Sequence, residues 1–292
     1  MSIEDPNWPR ASHWLAKSPA PGTQPQLAVV GVPLNSSITP GHCDLAPGAI
    51  RKALERYSLY DAESGVDVGS LPVWDRGDVA PAAEAIREAC GDSATVLLGG
   101  DNGITLPGVH ALREPLARCG VLTFDAHYDL RDLEDGLTNG NPIRALLRDG
   151  LPGVNIVQIG IQPFTNSAAY AEIARAAGVQ IITADEVREH GIATVLRDAL
   201  DLLTAKVDAI YVDLDVDVLD RAFAPACPGS RPGGLEPWVL RRAARLCGAH
   251  PKVRIMDIVE VDPTKDIADA TCLAAASFLL AFAAGVASRA RS

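Results

Sequence analysis

Residues 208–220 read DAIYVDLDVDVLD, and residues 120–129 read GVLTFDAHYD. In each, an unbroken apolar run passes directly into acids at alternate positions. A strand with no polar alternation is buried on both faces, which belongs to a parallel sheet covered by helices. Similar runs recur outward along the chain: QLAVVGVP (26–33), ATVLLGG (94–100), VNIVQIGI (154–161), VQIITA (179–184) and KVRIMDIV (252–259). Helix-length segments lie between them, among them PGAIRKALERY, ITLPGVHALREPLA and NPIRALLRDG. This alternation predicts a three-layer α/β/α fold with a central, mostly parallel sheet. No Ser/Gly/Pro-rich linker divides the chain, so residues 1–292 read as a single domain. Residues 1–25 read as an irregular leader, its Pro-rich patch at 19–25 running into the first strand.

Of the 292 residues, 48% are hydrophobic and 22% charged, which is ample for a packed core and unlike a disordered chain. Lys and Arg number 26 against 37 Asp and Glu, a formal net charge of −11. A binder of phosphate backbones needs the opposite balance or a basic stripe, so nucleic acid is not expected as a partner. Cys43, Cys90, Cys119, Cys227, Cys247 and Cys272 lie far apart with no CxxC pair. They read as reduced thiols rather than a disulfide framework or a zinc site, with Cys43 and Cys227 exposed in loops. The opening MSIEDPNWPRASHWL has acids where a secretory signal has an apolar core. Residues 267–287, IADATCLAAASFLLAFAAGVA, are long enough to span a bilayer but are Ala-rich and carry Asp269. They read as a buried helix. A cytoplasmic protein with no membrane partner is expected.

In an open parallel sheet, functional groups collect at the carboxyl ends of the strands. Asp101 and Asn102 follow ATVLLGG; Asp125, His127 and Asp129 follow GVLTF; Asp213, Asp215 and Asp217 follow IYV, with Asp220 beyond; Glu260 follows RIMDIV. Residues two apart on an extended strand end point the same way, so each triplet can share one cavity. Carboxylates gathered without a cation repel and raise one another's pKa; a divalent ion relieves this. Histidine among aspartates suits Mn²⁺ or a similar borderline cation, whereas purely oxygen ligands suit Mg²⁺ or Ca²⁺. Isolated strand-end aspartates are usually turn caps. Two triplets at corresponding ends favour a site for two ions with bridging carboxylates.

The stretches GGDNGIT, FDAHYD, NGNP, DLDVDVLD, PGGL and VEVDP resemble, in order, the motifs of the ureohydrolases, a group that includes arginase, agmatinase and formimidoylglutamase. The early GVPLNSSITPGHCDLAPGAIRKAL is similar to their first strand and helix, so the resemblance runs from about residue 26 almost to the end. It implies an arginase-like α/β fold, a binuclear manganese site, and attack of metal-bound hydroxide on the C=N carbon of a guanidino or formimidoyl group. Carried over by position, Asp125 and Asp215 would bridge both ions, His127 and Asp217 would complete one, and Asp129 would bind the other. Glu260 would clamp the cationic amidine-like end of the substrate. Asp213 stands where many members have a small residue, which leaves a supporting carboxylate or a strand-end cap as its role. Trimeric or hexameric homo-oligomers are implied likewise.

Two departures from the resemblance carry information. The family's usual GGDH is here GGDN, which leaves Asn102 a weak or lost ligand, because an amide oxygen binds such metals less well than imidazole. One tight ion and a weaker second one are therefore expected. The histidine of the HG(T/N)P segment, which resembles a proton shuttle, is here Asn139, so another acid must deliver the proton to the leaving group, with Asp129 the candidate. Formimidoylglutamases also tend to lack that histidine and to carry Arg after DAHxD, as Arg131 does here. Arg131 and Arg144, with Arg231 a weaker third, could each offer a carboxylate-bearing substrate a bidentate fork; Asn139 would line the same site. The expected reaction is formimidoylglutamate to glutamate and formamide, with Asp129 and Glu260 catalytic. An agmatinase or guanidino-acid hydrolase releasing urea is the same-class alternative; a metal-poor, non-catalytic binding or regulatory subunit is the alternative of another class.

Overall fold

The protein is described here by a computed structural model covering residues 5–17, 20 and 22–289. Its strands are β1 (Leu27–Val32), β2 (Tyr60–Asp61), β3 (Val66–Asp67), β4 (Val73–Asp78), β5 (Ala94–Gly99), β6 (Cys119–Phe124), β7 (Ile156–Ile161), β8 (Gln180–Thr183), β9 (Ala209–Leu214) and β10 (Val253–Ile258). Eight of them form one sheet in the order β4-β1-β5-β10-β9-β6-β7-β8, while β2 and β3 make a separate antiparallel pair. Every pairing in the large sheet is parallel. Its interior strands are the continuous apolar runs of the sequence, and β1, β5, β6, β7 and β9 are buried throughout. The edge strand β4 (VWDRGD) lacks such a run, because solvent covers part of it and Arg51 clamps Asp75 and Asp78 there. Charge on an edge strand also blocks pairing with another chain.

Helices α1 (Ala11–Leu15), α2 (Ala46–Ala53), α7 (Ala184–His190), α8 (Ile192–Thr204), α9 (Pro237–Ala249) and α10 (Ala270–Arg289) contribute to one core. On the other face lie α3 (Ala83–Cys90), α4 (Thr105–His110), α5 (Pro142–Arg148) and α6 (Ala168–Ala177). The expected three layers result. Within the stretch read as an irregular leader, α1 forms a helical turn whose Trp14 is buried and donates from its indole N–H to the Leu71 carbonyl. Parts of the Pro-rich patch at 19–25 lie outside the described residues. The apolar C-terminal segment is α10, long enough to cross a membrane by composition but largely buried inside the protein. Close approach to α9 explains one glycine on each helix: a Cβ on Gly285 of α10 would fall 2.1 Å from the Arg245 carbonyl oxygen, and one on Gly248 of α9 2.2 Å from that of Phe282.

The connection from β5 to β6 skips two places, which β10 and β9 later fill. That reversal of strand order is where open parallel sheets form a crevice. The four strands β5-β10-β9-β6 are those that carry Asn102, Glu260, Asp215 with Asp217, and Asp125 with His127 at their carboxyl ends.

Candidate metal centre and active site

One ligand atom each from Asp125, His127 and Asp217 lies within 4.8 Å of the others. The chain places them by local turns. Asp125 accepts the His127 backbone N–H (2.6 Å) and Asp215 accepts that of Asp217 (2.8 Å), so each acid caps the turn that presents the residue two positions on. Asp217 crosses from one turn to the other, accepting the Ala126 N–H at 3.0 Å and the His127 ring N–H at 2.6 Å. The loop after β7 locks this arrangement from outside: Thr165 and Asn166 donate to the Ala126 carbonyl, and Gln162 donates to that of Val218. None of these three polar residues belongs to a strand-end acid motif, and the sequence reading missed them.

Opposite stand Asp129, Asn102 and Glu260. Asn102 Nδ2 donates to Asp129 Oδ2, and the Asn102 backbone N–H donates to Glu260 Oε1 at 2.9 Å. Asn139 Nδ2 donates to the same Glu260 oxygen at 3.1 Å, while its own Oδ1 accepts the Ile38 N–H at 3.0 Å. Asn139 therefore ties the loop after β1 to Glu260. Asp129 and Glu260 both adopt left-handed backbone, at φ 53° and 65°. For residues other than glycine this conformation is costly, and it concentrates at functional sites.

Electrostatics reports a crowded, dry cluster. Burial, reinforced by Asp217, pushes Asp125 up to about 6. Burial with like charge from Asp125 holds Asp129 well above the carboxylate range, and burial with Asp217 and Asp125 does the same to Asp215. Burial pushes Glu260 up to about 8, against the Asn102 N–H that favours its ionised form. His127 goes the other way from a neutral ligand: the Asp217 charge pushes it up to about 12. Burial alone would raise Asp217, but His127 outweighs it and lowers it. Asp125 Oδ2 is buried with no hydrogen-bond partner among the described residues. An orphaned carboxylate oxygen among mutually repelling acids and one imidazole is a donor set that a divalent cation fits.

Beneath this layer sits a second group of polar side chains. Asp213 is fully buried on β9, and neither of its oxygens meets a donor. Asp257 of β10 stands beside it, and burial together with that neighbour's charge holds Asp213 well above the carboxylate range. Accepting no backbone N–H, Asp213 is not a strand-end cap. Asp257, Tyr211 and Thr105 complete the group, and the sequence reading passed over them inside apolar runs. Asp220, by contrast, is a turn residue that accepts the Ala222 and Gly233 N–H groups.

The arginines separate clearly. Arg131 is exposed, its stem lying with Ile38 against Gly140, next to Asn139. Arg144 is partly buried, its backbone N–H bound to the Asp129 carbonyl. Neither guanidinium has a hydrogen-bond or ion-pair partner among the described residues. Arg231 is different: its Nη1 donates to the carbonyls of Pro228, Gly229 and Ser230, which makes it a brace of its own loop. Cys43 and Cys227, expected at the surface, are both completely buried, and all six cysteines are free. Burial pushes both thiols up, with the Glu260 charge adding to it in each case.

An eight-stranded parallel sheet with a strand-end cluster of acids and one imidazole at its order reversal defines a metallohydrolase-type site. Residues 25–285 match the arginase family, and the chain belongs to it. A formimidoylglutamase of Halalkalibacterium halodurans is 39% identical over 279 residues, covering 89% of this chain and 86% of the relative. The crystal structure of formimidoylglutamase from Bacillus subtilis superposes with a TM-score of 0.90 at 36% identity, covering 98% of this chain and 94% of that one. The formiminoglutamase of Trypanosoma cruzi, solved with Mn²⁺₂, gives 0.86 at 25% identity and covers 97% and 99%.

Proposed function

We propose that this protein hydrolyses N-formimidoyl-L-glutamate to glutamate and formamide. The observation that carries this reading is the pairing of two recognition groups across one short turn. Glu260 holds Oε1 against Asn102 and Asn139, which leaves Oε2 for a cationic amidine. Arg131, against Gly140 in the same turn, leaves a whole guanidinium for a carboxylate. A substrate with an amidine at one end and carboxylates at the other satisfies both. The names of the relatives at 39% and 36% identity point the same way.

Manganese is the metal that suits the donors; Asp125, His127, Asp215 and Asp217 would hold one ion, and Asp125, Asp129 and Asp215 a second. Metal of this kind lowers the pKa of a bound water towards neutrality. The chain's own residues do the rest. Glu260 binds the protonated nitrogen, whose charge favours the ionised carboxylate and draws its pKa down. Asp129 would move a proton from the attacking water to the departing amine. Arg131 and Arg144 orient the glutamate end, and the single domain works as a cytoplasmic homo-oligomer, a trimer or hexamer.

The test is a substrate panel with purified, Mn²⁺-loaded protein: formimidoylglutamate, agmatine, guanidinobutyrate and guanidinopropionate, with formamide and urea measured separately. Formamide release from the first alone is the expected result. Urea from a guanidino compound as the fastest reaction would replace this reading with the agmatinase or guanidino-acid alternative, and no turnover of any would leave a binding subunit.

A further inference from the structure

Thr105 opens α4 directly under Asn102, and its hydroxyl is asked for two things at once. Thr105 Oγ1 lies 2.8 Å from Asn102 Oδ1 and 3.0 Å from Asp257 Oδ2. An amide oxygen and a carboxylate oxygen both only accept, whereas a threonine hydroxyl has one proton to give. All three residues are buried, so as the side chains stand the hydroxyl proton goes to Asn102 and Asp257 Oδ2 relies on Tyr211 alone. The Asp257 side is fixed: Tyr211 Oη donates to Oδ2 at 2.6 Å, and the Leu214 N–H donates to Oδ1 at 3.0 Å. Tyr211 itself cannot withdraw, since it lies so close to α4 that a Cβ on Gly108 would fall 2.3 Å from its hydroxyl.

The amide of asparagine can exchange these roles, because its oxygen and nitrogen occupy the same two positions when it turns by half a revolution. Turned, Nδ2 donates to Thr105 Oγ1 and Thr105 donates to Asp257, while Asn102 Oδ1 and Asp129 Oδ2 are left facing each other without a donor. We propose that Thr105, anchored by Asp257 and Tyr211, is a positioning residue that turns the Asn102 amide so that its oxygen faces Asp129 and the second metal position. Two oxygens then face each other there, an arrangement that repels when empty and is relieved by a cation. This inference rests on the two-ion reading above and gives Asn102 a defined end to bind with.

The experiment is Mn²⁺ titration of the full chain by calorimetry, with electron paramagnetic resonance following the second ion. Thr105→Val should weaken the second ion by about 10-fold or more while the first ion is unchanged, the size seen when groups that orient a ligand are removed. Thr105→Ser, which keeps the hydroxyl, should restore it. In an Asn102→Asp background both ends of the side chain are oxygen, orientation no longer matters, and Thr105→Val should cost less than about 3-fold. The proposal is overturned if Thr105→Val leaves the second ion untouched, or if it costs as much in the Asn102→Asp background as in the unaltered protein. A protein that binds one ion only, even at saturating Mn²⁺ and with Thr105 intact, overturns the two-ion reading itself. That result is separate from either failure of the relay. An unchanged first-ion affinity shows that each variant is folded.

Discussion

The two walls of the cleft are built on opposite terms. On the β6–β9 wall, Asp125, His127, Asp215 and Asp217 cross-link one another through short bonds to side chains and to the first backbone N–H groups of two turns. On the other wall, Asn102 and Asp129 meet each other through an amide, and Asp129 sits in left-handed backbone. The first wall offers an imidazole and three carboxylates; the second offers carboxylates shared with the first and a neutral amide. A ligand set held by its own hydrogen bonds is preorganised for an ion, and one that depends on an amide's orientation is weaker. Equal folding of the two walls therefore does not imply equal grip on metal.

Removing the imidazole should break this contrast most severely. His127→Ala takes the only nitrogen donor from the stronger wall, and we expect metal content and turnover to fall by about 100-fold or more, read by elemental analysis beside the formamide assay. Full metal and full turnover in that variant would mean the ion sits elsewhere. Arg131→Ala comes next in size. Losing one charge-assisted contact to a substrate carboxylate costs about 2–3 kcal/mol, so KM for formimidoylglutamate should rise by roughly 10²-fold with kcat little changed. An unaltered KM would shift recognition to Arg144, whose own alanine variant then becomes the decisive one.

Asn102→His should narrow the gap between the walls, tightening the second ion by about 10–100-fold in a calorimetric titration. Two equally tight ions in the unaltered protein would remove the asymmetry on which this rests. The smallest effect is on stability against pH. Glu260 is pushed up to about 8 and Asp125 to about 6, so their stabilisation is complete below about 4 and disappears as pH rises to those values. His127 adds to the same trend, its contribution being complete below about 6.5 and declining as pH rises towards about 12. Metal-free protein should therefore melt several degrees lower at pH 8.5 than at pH 5.5 in scanning calorimetry. The increase in melting temperature on adding Mn²⁺ should grow over the same range, because binding must displace those protons. A metal-free melting temperature that climbs with pH would contradict the buried, protonated cluster.

The sequence displayed the sheet and its acids because both arise from local rules. Unbroken apolar runs mark interior strands, and the residue after each run lies at the rim where ligands bind. Edge strand β4 stayed hidden because its exposure removes the apolar signal. Trp14 was misplaced in a leader because its burial depends on Leu71, which is distant in sequence. Cys43 and Cys227 looked like exposed loop residues; Cys43 instead opens a helical turn before α2, Cys227 is in a loop, and both are completely buried within reach of the Glu260 charge. Asp257 was the legible clue that went unread: an acid inside RIMDIV has no solvent to face and must be bonded from several sides.

The insertion of β9 and β10 between β5 and β6 also has a consequence for how the protein is made. As the chain emerges from the ribosome, β5 and β6 appear early, yet they are destined to stand two strands apart with nothing between them. Their apolar edges stay open until residues 209–214 and 253–258 arrive to fill the gap. Contacts of such long sequence separation form slowly and leave sticky edges exposed in the meantime. Asp125 and His127 gain Asp217 only when the later strands dock, so the candidate metal site is complete only at that last step. A nascent chain lacking its last third would be both inactive and prone to aggregate, and the supply of manganese would act on the finished sheet alone.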